Sequence, residues 1–87
     1  MPKYTFIADP GHGWLQVPLH EVRKLGIADK ISACSYMSSN MAYLEEDCDA
    51  PLFIKAAGLT QDDISEVHLN HQAPCRGYRP YDSKMVG

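Results

Sequence analysis

No stretch of the chain approaches the roughly 18 consecutive apolar residues that a membrane-spanning helix needs, so no such span is expected. Positive charge is also scarce. Eight Lys and Arg stand against eleven Asp and Glu, which leaves a formal net charge of −3 with His neutral. A protein that grips a phosphate backbone needs a basic face, so direct nucleic-acid binding is not expected. The three cysteines, Cys34, Cys48 and Cys75, are odd in number, widely spaced and include no Cys-x-x-Cys pair. That pattern argues against a secreted disulfide framework and is read as free thiols in a reducing cytosol. Met1 to Asp9 hold no long apolar run, so no signal peptide is expected and a cytoplasmic location is. The spacing Gly-x-Gly-x-x-Gly is missing too, which removes the usual phosphate cradle.

The chain has 87 residues, the size of one small domain. A chain this short buries only about 60–65% of the surface its unfolded form exposes. The core is therefore thin, a deep substrate pocket is not expected, and a binding role is favoured over an enzymatic one. Hydrophobic residues make up 45%, ordinary for a folded domain.

Turn chemistry and periodicity divide the chain into short elements. Tyr4–Ile7 reads as a strand ended by Asp9-Pro10-Gly11, and Trp14–Val17 as the return arm of a hairpin. Pro18 opens a helix whose apolar stripe is Leu19, Val22 and Leu25, with Gly26 at its end. Residues Ile27 to Ile31 add a short helical turn. A second hairpin is expected from Ala33–Ser38 and Met41–Glu45, with Ser39-Asn40 as its turn, Asn40 being tolerant of positive φ. Asp49 is the expected N-cap of a second helix, with Pro51 in its first turn, Leu52, Phe53, Ala56 and Ala57 on its buried face, and Gly58 ending it. Thr60-Gln61-Asp62-Asp63 resembles a capping box, and Ile64–Asn70 reads as the last strand with Val67 and Leu69 buried. Residues 72–87 are too rich in Pro and Gly for regular structure and are expected to form a largely irregular tail, pinned by Tyr78 and Tyr81. The expected fold is α+β, order β-β-α-β-β-α-β, with a mostly antiparallel sheet and two helices on one face.

Three constellations bear chemistry. His68-x-x-His71-x-x-x-Cys75 contains zinc-ligand types without a complete motif, and the readier explanation is a polar strand face beside a buried cysteine. Gly11-His12-Gly13-Trp14 lets the backbone approach a ligand, yet a hairpin turn with Trp14 as a core anchor is the readier explanation. The third is acidic: Glu45, Glu46, Asp47 and Asp49 fall within five residues, with Asp62 and Asp63 further on. Helix capping needs only one or two of them. The expected binding surface is therefore Glu45, Glu46, Asp47, Asp49, Asp62 and Asp63, with Tyr43 as an amphipathic anchor, against a partner with a basic face. No catalytic residue, metal site or cofactor is expected. A homodimer stays open. The alternative is a small metal-binding or nucleic-acid-associated regulatory domain using His68, His71 and Cys75.

The segments Gly11-His12-Gly13-Trp14-Leu15-Gln16-Val17-Pro18, Leu25 to Ser32 and Ala42-Tyr43-Leu44-Glu45-Glu46-Asp47-Cys48-Asp49-Ala50 resemble short proteins of unknown function from bacteriophages and bacterial plasmids. That group has no established catalytic residues to carry over. The resemblance implies a phage- or plasmid-encoded binder in a bacterial host cell. By analogy of size and charge with anti-CRISPR proteins, it implies an inhibitor of a nucleic-acid-handling defence complex.

Overall fold

The computed structural model describes residues 3–86. The strands are β1 (Tyr4–Ala8), β2 (Gly13–Pro18), β3 (Tyr36–Met37), β4 (Met41–Glu45), β5 (Ile64–His68) and β6 (Arg79–Pro80). The helices are α1 (Leu19–Lys24) and α2 (Ala50–Ala57). The six strands form one sheet in the order β5-β1-β2-β4-β3-β6. The α+β class, the element order up to β5 and the mostly antiparallel pairing agree with the sequence reading. β1 and β5 run parallel, in the register Tyr4↔Ile64 to Ala8↔His68. That pairing follows from connectivity, because α2 carries the chain from β4 across β2 and β1 before β5 begins.

Strand alternation sorts the side chains onto two faces. On the first, Leu15, Val17, Ala42 and Leu44 pack beneath Leu19 and Val22 of α1 and Ala50 and Phe53 of α2. Both helices therefore cover this face. Tyr4 adds an edge-on contact to Phe53, with ring centroids 5.5 Å apart, and its hydroxyl donates to Glu21. Gly13 is required by close approach: a Cβ there would sit 2.4 Å from the Phe6 ring. The second face carries Trp14, Ala73 and Cys75, with Ile7, Tyr36, Tyr43 and Leu69 around them.

Several local expectations change. Among the described residues no non-glycine residue has positive φ, so the turn does not draw on the tolerance of Asn40 for that region. The β3–β4 turn is held instead by Ser38 N–H donating to Met41 O and Met41 N–H donating to Ser38 Oγ. β3 is shorter than the expected arm because Ser32 and Ser35 are drawn into a polar cluster described below. Ala56 is exposed, since Ala50 rather than Ala56 completes the buried stripe of α2. Val67 is also exposed, at 43%, because no element covers that end of the second face. The helix ends are as expected, with Gly26 and Gly58 at positive φ, and Thr60 and Asp63 make the reciprocal capping box.

The C-terminal segment is short on regular structure and firmly packed. It contains two single 3₁₀ turns, Pro74–Gly77 and Ser83–Met85, and the two-residue β6 on the edge of β3. Tyr81 is buried in the core, with its hydroxyl donating to Ala28 O at 2.6 Å and its N–H to Ser35 O at 2.8 Å. Arg23 donates to Val86 O at 2.9 Å.

Candidate functional site

The second sheet face is built around a hidden ion pair. Asp9 closes the β1–β2 turn, its Oδ1 accepting from the N–H groups of Gly11 and His12 at 2.9 Å. The same carboxylate receives Arg76 Nε at 2.6 Å and Ala73 N–H at 2.9 Å, and its side chain is only 1% exposed. Hydrogen bonding from Arg76, reinforced by these backbone donors, outweighs burial and holds the Asp9 carboxyl well below the usual carboxylate range. The Arg76 guanidinium lies 4.8 Å above the centre of the Trp14 ring. Asp9 thereby fastens residues 73–78 across the middle of the sheet, with Cys75 and Ala73 sealed against Trp14. Burial among apolar groups pushes the Cys75 thiol up to about 11.

A groove of about 410 Å³ opens beside this strap, lined by His12, Trp14, Cys34, Glu45, Cys48 and Arg76 among others. Two loops form its rim, and the sequence reading placed both differently. Asp49 does not cap α2 with its side chain. Its carboxylate turns inward at 2% exposure and accepts from Ser32 N–H at 3.0 Å, Ser32 Oγ at 2.8 Å and the Ser35 hydroxyl. Ser35 Oγ in turn accepts from Glu45 N–H at 3.0 Å. The loop at residues 32–35 and the turn at residues 45–49 are thus tied by buried hydrogen bonds. A buried acid must be paired, and three donors on one loop outbid the local capping role.

Glu45 is likewise spent on structure. It is 8% exposed, and its Oε1 accepts from the N–H groups of Asp47 at 2.8 Å and Cys48 at 2.9 Å. Burial raises its pKa, but those two donors outweigh it and leave the carboxyl below its ordinary value. Its Oε2 is 3.4 Å from His12 Nδ1, and Glu46 Oε1 lies 4.0 Å from the same nitrogen. Glu46 is half-buried, whereas Asp47 is exposed. Asp62 is exposed and Asp63 is held in the capping box, both beside the Tyr4 end of β1. The 45–47 turn lies at the opposite end of the sheet, since Trp14 pairs with Glu45 and Ile7 with Trp14. The expected single acidic edge is therefore corrected. Asp49 and Glu45 are inside, Asp62 and Asp63 are remote, and Glu46 and Asp47 are the outward acids of the tract.

Tyr43 sits on the second face with its ring centroid 5.3 Å from that of Tyr78. Burial, followed by its neighbours Tyr78 and Cys75, raises the Tyr43 phenol above its ordinary value. Beyond it the row Tyr43–Gln16–Thr5–Ser65 crosses β4, β2, β1 and β5. All four are half-buried, and the neighbouring row ends at exposed Val67.

The structure does not bring His68, His71 and Cys75 together. His68 faces Glu66 at 3.1 Å on an exposed strand, His71 faces Asn70 at 3.2 Å, and Cys75 is buried under Trp14. Among the described residues, the metal-ligand types that converge are His12, Glu45 and Glu46, with ligand atoms within 4.8 Å of one another. Sequence reasoning also missed the meeting of Cys34 and Cys48. Both thiols are exposed and free, and they line the same groove. Hydrogen bonding to Cys34, then burial and the Glu45 carboxylate, push the Cys48 thiol up to about 12. Comparison with family models, curated proteins and solved structures finds no match. Among the described residues no helix is long and apolar enough to cross a membrane.

Proposed function

We propose that the protein is a small binding module whose contact surface is the sheet face opposite the helices. One observation carries this reading. Among the described residues the exposed large hydrophobic side chains are Val67, Tyr78 and Met85, and the first two stand on this one face. Between them run Thr5, Gln16, Ser65 and Tyr43, a strip of mixed polarity with aromatic anchors, the composition that protein interfaces favour. Glu46 and Asp47 border the same face and suit a partner with a basic surface. The narrower reading is an inhibitor that occupies the basic, nucleic-acid-handling surface of a bacterial defence complex. It draws on the net charge of −3 and the acidic border.

Affinity capture from bacterial lysate with surface variants tests the reading. Val67→Asp combined with Tyr78→Asp is expected to abolish capture of the protein that the unmodified chain retains. Lys24→Asp, on the helical side, is expected to leave it intact. Equal capture by both variants would contradict the assignment.

A further inference from the structure

We propose that Cys34 and Cys48 form a dithiol that closes reversibly to a disulfide when it meets a small-molecule disulfide of the glutathione type. Cys34 belongs to the 32–35 loop and Cys48 to the 45–49 turn, and both thiols are solvent-accessible at the rim of one groove. Asp49, next to Cys48 in the chain, holds Ser32 and Ser35 on either side of Cys34, which brings the two cysteines to the rim of the same groove. Their backbones are held in that relation independently of the thiols. Asp49 grips Ser32 and Ser35 on one side, Ser32 Oγ accepts from Cys34 N–H at 3.2 Å, and Glu45 Oε1 accepts from Cys48 N–H at 2.9 Å. Preorganisation of this kind turns the second step of thiol–disulfide exchange into an intramolecular reaction at high effective concentration. Cys75 has no such access, because it lies buried beneath Trp14.

The chemistry is a two-electron exchange. The Cys34 sulfur, as thiolate, attacks one sulfur of the small disulfide, whose S–S bond breaks and releases one thiolate. The Cys48 sulfur, losing its proton, then attacks the Cys34 sulfur in the mixed disulfide and expels the second thiolate. The two protons lost by the protein end on the two released thiols. The protein is oxidised by loss of two hydrogens, and the small disulfide is reduced to two thiols.

The test is incubation of the full chain in a series of glutathione redox buffers, followed by acid quenching, alkylation and peptide mass spectrometry. The expected product has lost two hydrogens, with a cross-link joining the Cys34 and Cys48 peptides, and reverts on addition of dithiothreitol. Cys75 is alkylated only after unfolding. Cys48→Ser is expected to accumulate a stable glutathione adduct on Cys34, which the unmodified chain resolves at least tenfold faster than it is lost from the variant. Persistent glutathione adducts on the unmodified chain, or a cross-link that includes Cys75, would overturn the proposal.

Discussion

Replacing Asp49 with Ala removes the acceptor that ties two loops together. The carboxylate is 2% exposed and takes two hydrogen bonds from Ser32 and one from Ser35. A hydrogen bond to a charged group contributes about 1.5–3 kcal/mol, and such contributions within one cluster do not add fully. The two serine hydroxyls can rotate toward other acceptors, whereas Ser32 N–H cannot. A net loss of roughly 3–5 kcal/mol is therefore expected, from a total that for small domains is about 5–15 kcal/mol. At about 4–8 °C per kcal/mol for a domain of this size, the melting temperature should fall by at least roughly 12 °C. Asp49→Asn keeps one carbonyl acceptor and should cost about half as much. Urea unfolding followed by fluorescence of buried Trp14 provides the assay, since Trp14 lies next to the cluster's groove. A loss below about 1 kcal/mol for the Ala variant would refute the clamp and restore a simple capping role.

The remaining expectations are independent. Because the folded Asp9 carboxyl is depressed, its stabilisation is complete above the unfolded value near 4 and disappears as the pH falls toward the lowered folded value. Asp9→Asn should accordingly flatten the acid limb of a plot of urea midpoint against pH. The Tyr81 phenol behaves in the opposite sense. Burial raises it to about 12, so the stability it contributes is complete below about pH 10 and is lost between there and 12. Tyr81→Phe should lose about 1 kcal/mol at neutral pH with the hydrogen bond to Ala28 O, and should weaken the alkaline limb. Glu46→Lys with Asp47→Lys should fold normally by circular dichroism and lessen the salt dependence of partner capture. Glu45→Lys should instead lower the melting temperature, because the N–H groups of Asp47 and Cys48 lose their acceptor.

What could be read from the sequence was whatever rests on near neighbours. The Leu19, Val22 and Leu25 stripe, the glycines at both helix ends and the Thr60–Asp63 box depend on residues within one turn, and each is where its pattern places it. The misreadings involve partners far along the chain. Asp49 stands before a Pro-initiated helix and so resembles a cap, yet serines 14 and 17 residues upstream claim its carboxylate. Arg76 and Asp9 are 67 residues apart, and nothing in an Asp-Pro-Gly turn announces that its carboxylate will anchor the C-terminal segment. The same segment reads as irregular because Pro and Gly discourage ladders, and Tyr81 pins it in agreement with that reading. What the reading missed is the Arg76 tie to Asp9, which needs no ladder. Val67 was assigned to the core by alternation with Leu69, but alternation cannot say which face receives a cover. Of the seven acidic and aromatic positions proposed for the surface, Tyr43, Glu46 and Asp47 lie together on or beside the open face. Cys34 and Cys48 are separated by a hairpin whose closure alone brings them side by side.

Photo-crosslinking from single positions tests the binding face most directly. A photoreactive phenylalanine analogue is placed at Tyr78 on the open sheet face or at Arg23 on the helical side, and each variant is irradiated in bacterial lysate. Crosslinking of one discrete protein from position 78, absent from position 23 and suppressed by Val67→Asp, is the expected result. Equal or stronger crosslinking to that protein from position 23 would place the contact on the helical side and contradict the assignment of the sheet face.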